Sequence, residues 1–180
     1  MSSANQRAEN FPDYTMYLVN YRGYGGNSGK PSKEVLYADA LVAYDTFKKE
    51  HKELFLMGRS LGSSVASYVA SQREVKKLVM ITPFDSLVNV AQSKYPMYPI
   101  AWILKDKYDN VENLSKAKQT EIMVVMADED KVLPNEHTLA LVESLEKNRT
   151  ELEVVKGYGH NNLQKSEGYY ERIRGFFGGE

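Results

Sequence analysis

The apolar run Leu54-Phe55-Leu56-Met57 leads straight into Gly58-Arg59-Ser60-Leu61-Gly62. A short hydrophobic run followed by G-x-S-x-G constrains this chain more than any other feature, because it calls for a buried strand that turns abruptly into a helix. A β-carbon on either side of the serine would collide with neighbouring backbone, and glycine has none. Such a turn lifts the Ser60 hydroxyl above a sheet edge and aims the backbone N–H of Leu61 at the place where an oxyanion forms. The same five residues also read as a glycine-rich turn with an incidental serine, so the rest of the chain has to choose.

Five segments read as strands: Thr15–Asn20, Leu54–Met57, Leu78–Thr82, Ile122–Ala127 and Leu152–Lys156. Most are continuous apolar runs, the pattern of parallel strands covered on both faces. Helical patterns separate them. Ser32 caps a helix to about Lys49 with Leu36, Ala40, Tyr44 and Phe47 on one face. Ser63–Ser71, rich in serine and alanine, suits close packing on a sheet. Leu139, Val142 and Leu145 mark a helix after Pro134, and Tyr169, Ile173, Phe176 and Phe177 mark the last. Strands alternating with helices predict an α/β fold, a mostly parallel sheet flanked by helices on both faces. With 180 residues the chain reads as one domain, 1–180. Only residues 86–118 break the alternation, as a short helical excursion in place of a large lid. Its aromatics Tyr95, Tyr98 and Trp102 read as core packing, with an acyl-pocket wall as the other reading.

Several functional classes are excluded by composition. A net charge of -1 favours neither nucleic acid nor an anionic membrane surface, so neither is expected as a partner. No apolar run reaches the length of a membrane span, and Met1–Arg7 lacks a signal-peptide core, which makes a cytoplasmic location the expectation. The absence of cysteine rules out disulfides, a thiol nucleophile and thiolate metal sites.

A serine hydroxyl needs a general base, and the base needs a carboxylate to orient it. The chain has three histidines, His51, His137 and His160. His51 sits among charged residues before its strand, and His137 at an apparently exposed helix start, so both read as bystanders. His160, in Gly157-Tyr158-Gly159-His160-Asn161-Asn162, follows the last strand and is the candidate base. Asp130 follows the strand Ile122–Ala127 and is the preferred acid over Asp128 and over Asp85, which follows Leu78–Thr82. The run Asp128-Glu129-Asp130 fits no calcium-loop register, and no metal is expected. Ser60, Asp130 and His160 all lie past the C-terminal ends of strands, where one sheet edge gathers them.

With Asn20-Tyr21-Arg22-Gly23-Tyr24-Gly25-Gly26-Asn27-Ser28-Gly29-Lys30-Pro31, the segment Ala127–Pro134 and the GYGHNN segment, these motifs resemble the α/β-hydrolase superfamily over residues 12–177. The likeness is to its small serine esterase, lipase-like and serine aminopeptidase branch. The resemblance implies Ser60 as nucleophile, Asp130 as acid, His160 as base and the Leu61 N–H as one oxyanion donor. It implies cleavage of small carboxylic esters through an acyl-enzyme, without a cofactor.

The sequence also departs from that pattern. The family's N-terminal strands and its His-Gly or Gly-Gly oxyanion loop have no counterpart in Met1–Asp13. One of the strands that lack a counterpart lies, in the family, between those matching Thr15–Asn20 and Leu54–Met57. The expectation is a gap in the sheet, closed by direct pairing of its flanks or filled by another chain, or a truncated form. The Arg22–Gly26 loop is the nearest substitute donor, although packing and turn roles suit it better. A second reading follows: a non-catalytic or truncated scaffold that associates, as a homo-oligomer for example, through its incomplete sheet.

Overall fold

The computed structural model describes residues 8–178; the Met1–Arg7 stretch lies outside them. In chain order the elements are α1 (Lys33–Phe47), β1 (Leu56–Arg59), α2 (Leu61–Gln72), β2 (Lys77–Ile81), α3 (Leu87–Lys94), α4 (Ile100–Ile103) and α5 (Asn110–Lys116). They continue with β3 (Glu121–Ala127), α6 (Asn135–Glu143), β4 (Thr150–Val155) and α7 (Tyr169–Phe177). The four strands pair in the order β1-β2-β3-β4, all parallel. This is the α/β architecture expected from the alternating pattern.

Side chains alternate across the pleat, so neighbouring strand residues enter different cores. Leu78, Met80, Ile122 and Val124 face α1, α2, α5 and α6, where Tyr44, Val69, Leu114 and Leu141 meet them. Val79, Ile81, Met123 and Val125 face the other way, against Phe11 and the α7 residues Tyr169, Ile173 and Phe177. Both faces are therefore covered, unequally, with α7, the N-terminal turn and Leu163 of the segment before α7 on the second. The serine-rich face of α2 does pack closely: Ser63, Ser64 and Ser67 are buried. Ser67 Oγ there donates to Asn110 Oδ1 of α5 at 2.7 Å.

Two local expectations are corrected. Thr15–Asn20 is not a strand; it runs without a ladder partner, with Tyr17, Leu18 and Val19 exposed. A strand exists only through its partner's hydrogen bonds, and β1, the edge of the sheet, pairs with β2 alone. The flanks of the gap have not closed up. In α6 the buried stripe is His137, Thr138 and Leu141, while Leu139 faces solvent. A short helix that starts at Pro134 has its phase set by its docking partner, and here that partner is polar.

Candidate active site

Of the two elbow glycines only Gly58 meets the steric expectation; a β-carbon at Gly62 would face the Tyr21 hydroxyl and not backbone. A β-carbon at Gly58 would sit 2.3 Å from the Gly62 carbonyl oxygen and 2.7 Å from Ser63 Cα, both backbone atoms of the incoming helix. Ser60 pivots between strand and helix with φ 51° and ψ −122°, a conformation that non-glycine residues adopt at a cost. Its N–H donates to Ile81 O at 2.9 Å, and its carbonyl accepts from the Ser63 N–H and hydroxyl. These bonds lock the strained turn to β2 on one side and to α2 on the other. Leu61 is the first residue of α2, so its N–H has no partner within the helix. A second strained residue, Thr82 (φ 44°), directly follows the neighbouring strand β2, and nothing in its sequence context signals it.

Asp130 and His160 meet across the loops after β3 and β4. His160 Nδ1 donates to Asp130 Oδ2 at 2.7 Å, with 8% and 2% of the two side chains exposed. The other carboxylate oxygen accepts the Val132 and Leu133 N–H groups, each at 2.8 Å. With Nδ1–H held by the carboxylate, Nε2 is left as the acceptor, the tautomer a base requires. The two loops are stitched together: Glu129 N donates to Tyr158 O, and Asp128 Oδ1 accepts from Gly157 N at 2.7 Å. Asp128 is thus a loop tie.

No hydrogen bond joins the Ser60 hydroxyl to His160, whose Nδ1 is taken by Asp130. What joins the elbow to the histidine loop is Arg59, which sequence reasoning passed over. Its guanidinium donates to the His160 carbonyl oxygen and, at 2.9 Å, to Asn161 Oδ1. The only signal for it in the sequence is its place beside the serine.

The rival residues separate cleanly. His51 hydrogen-bonds the Tyr17 hydroxyl at 2.8 Å. His137 is not an exposed bystander: it is buried, with Nδ1 3.0 Å from Asp85 Oδ1 and Nε2 2.9 Å from the Ser93 hydroxyl. Asn89 Nδ2 donates to the second Asp85 oxygen at 2.5 Å. Asp85, His137 and two α3 side chains therefore clamp the excursion onto α6. The signal missed was a histidine one helical turn before the buried Leu141.

Beside the elbow lies a cavity of about 360 Å³ lined by Leu61, Leu36, Leu87, Leu104, Tyr24 and Tyr108 among others. Burial pushes the Tyr108 phenol up to about 12. Tyr95, Tyr98 and Trp102 line neither this cavity nor the core; they are exposed. Arg22 is committed to Asp39 of α1 through bonds of 3.0 and 2.7 Å, in keeping with a turn and packing role for its loop. The side chain nearest the second elbow glycine is instead Tyr21, whose hydroxyl is 3.2 Å from where a Gly62 β-carbon would stand. Burial raises the Tyr21 pKa.

Comparison with known proteins agrees with this fold. Residues 12–178 match the prolyl oligopeptidase family. An uncharacterized protein of Mycobacterium tuberculosis is 32% identical over 158 residues, covering 86% of this chain and 56% of that protein. The chain spans about half the length of the curated relatives it matches (56% and 48% for two of them). Among solved structures, DcsB in complex with its substrate analogue superposes with a TM-score of 0.72 at 19% identity, covering 98% of this chain and 84% of that one. Est1E from Butyrivibrio proteoclasticus gives 0.62 at 15% identity, covering 82% and 72%. These structural likenesses show the shared fold. By its family match over residues 12–178, the chain belongs to the prolyl oligopeptidase family, within the α/β-hydrolase superfamily.

Proposed function

We propose that this chain is a serine hydrolase that cleaves small carboxylic esters. The observation that carries the reading is the buried His160–Asp130 pair at 2.7 Å, placed with the strained Ser60 at one edge of a parallel sheet. Ser60 Oγ attacks the ester carbonyl carbon while His160 Nε2 takes its proton. The Leu61 N–H, left without a helix partner, stabilises the oxyanion. His160 then protonates the leaving alcohol. Water, deprotonated by the same nitrogen, attacks the acyl carbon and releases the acid, with the proton returning to Ser60. Asp130 keeps the imidazole in the working tautomer throughout. The apolar cavity beside Leu61 suits a short acyl chain. No cofactor enters this chemistry.

The test is labelling with a fluorophosphonate probe followed by peptide mapping. An adduct on Ser60 that is lost in Ser60→Ala and His160→Ala is the expected result. Folded protein that never labels overturns the enzyme reading. It would favour a scaffold that associates through the free edge of β1, which the unpaired segment 15–20 leaves open. That reading expects an oligomer on size exclusion.

A further inference from the structure

We infer that the tip of the excursion, residues 95–103, is a docking surface for an anionic phospholipid bilayer. Five large apolar side chains stand in solvent within nine residues: Tyr95, Met97, Tyr98, Trp102 and Ile103, with Met97 and Trp102 91% and 90% exposed. Soluble surfaces scatter such residues singly; a contiguous set marks an interaction site. Its composition favours lipid over a protein groove. Tryptophan and tyrosine are the residues that settle at the headgroup level of a bilayer, and Met97 and Ile103 supply the aliphatic part that reaches below it. Pro96 and Pro99 stiffen the loop, so the side chains are presented outward with little ordering left to do.

Charge supports the same occupant. Lys94, Lys105 and Lys107 flank the patch in sequence and are exposed. The one carboxylate between them, Asp106, already accepts the Lys33 backbone N–H at 2.9 Å. Lysines around an aromatic tip complement anionic headgroups. The balanced total charge of the chain hides this local excess. Among the described residues no helix is long and apolar enough to cross a membrane, so the contact is peripheral.

Leu87 and Leu104, on either side of this tip in the chain, also line the cavity beside Leu61. Resting on the hydrolase reading, this places the acyl cavity at the base of the docking element. It makes a bilayer-dispersed ester the substrate class.

Trp102 is the single tryptophan of the chain and reports on the patch directly. Ser60→Ala protein is mixed with vesicles of phosphatidylglycerol and phosphatidylcholine, or of phosphatidylcholine alone. Trp102 emission is followed alongside cosedimentation. The expected result is a shift to shorter wavelength and cosedimentation with the anionic vesicles. Partitioning falls about fivefold for each of Lys94→Gln and Lys107→Gln. In Met97→Ser/Ile103→Ser it falls about tenfold or more. Emission unchanged at millimolar anionic lipid overturns the proposal. So does a shift that appears without lipid as protein concentration rises, with a dimer on size exclusion, which assigns the patch to a second copy. Because the nucleophile is absent from this assay, binding and catalysis fail separately. Vesicle binding by a protein that never labels at Ser60 keeps the docking surface and removes only the substrate class.

Discussion

The two glycines of the elbow, alike in the sequence, are expected to behave in opposite ways when each is replaced by alanine. In Gly58→Ala the new methyl meets the Gly62 carbonyl oxygen at 2.3 Å and the Gly62 carbonyl carbon at 2.7 Å. Both are backbone atoms in the first turn of α2 and have no rotamer to retreat into, so strand and helix must separate. Overpacking that side chains can absorb costs about 1–3 kcal/mol. A backbone clash belongs at or above the top of that range, about 3 kcal/mol. For a protein of this size that lowers the melting temperature by about 6–12 °C. In Gly62→Ala the nearest obstacle is the Tyr21 hydroxyl at 3.2 Å, the far end of a side chain that can give by a few tenths of an ångström. Position 62 is helical, where alanine is favoured over glycine by about 1 kcal/mol. The two effects offset, and Gly62→Ala is expected to melt within about 3 °C of wild type. Thermal melts followed by circular dichroism, with the rate of fluorophosphonate labelling at Ser60, measure both. Gly58→Ala should lose labelling along with stability, because the same displacement opens the Ser60 turn. Equal losses for the two variants, or a wild-type melt for Gly58→Ala, would refute the argument that this crossing sets the pentapeptide.

Three further expectations rest on other contacts. Arg59→Ala cuts the link from elbow to histidine loop, so Ser60 labelling slows by about 10- to 100-fold, the scale of a small misplacement of reacting groups. The melting temperature barely moves and Arg59→Lys recovers part of the rate; a rate equal to wild type sinks this positioning role. His137→Ala leaves the buried Asp85 carboxylate with Asn89 as its remaining side-chain partner. Breaking a buried pair costs about 3–5 kcal/mol, a fall of roughly 6–20 °C; a melt unchanged from wild type shows that the clamp is idle. Burial pushes the Tyr37 and Tyr108 phenols from 10.0 up to about 12. The unfolded chain releases these protons first, so their contribution is complete below pH 10 and is lost as pH rises toward 12. Urea midpoints taken across that window should fall, and a flat profile refutes it.

Much of this molecule is legible along the chain because its strongest signals are local. Continuous apolar runs announced β2 and β3, since a parallel strand covered on both faces has no polar side to show. The Ser60 turn was readable because sterics at Gly58 act over a few residues. Asp130 and His160 followed from their places after strands, which a parallel sheet sends to one edge. Tertiary structure alone decided the rest, where the deciding atoms come from distant segments. Thr15–Asn20 has strand composition yet no partner, because pairing belongs to two segments and cannot be read from one. His137 looked exposed until α6 docked against Asp85 and Ser93, fifty-two and forty-four residues away in sequence. Arg59 reaches a carbonyl 101 residues on. Tyr95, Tyr98 and Trp102 had the composition of a core, and only the packed molecule shows them facing solvent. Hydrophobicity says that a side chain gains by leaving water; the fold determines which ones have somewhere to go.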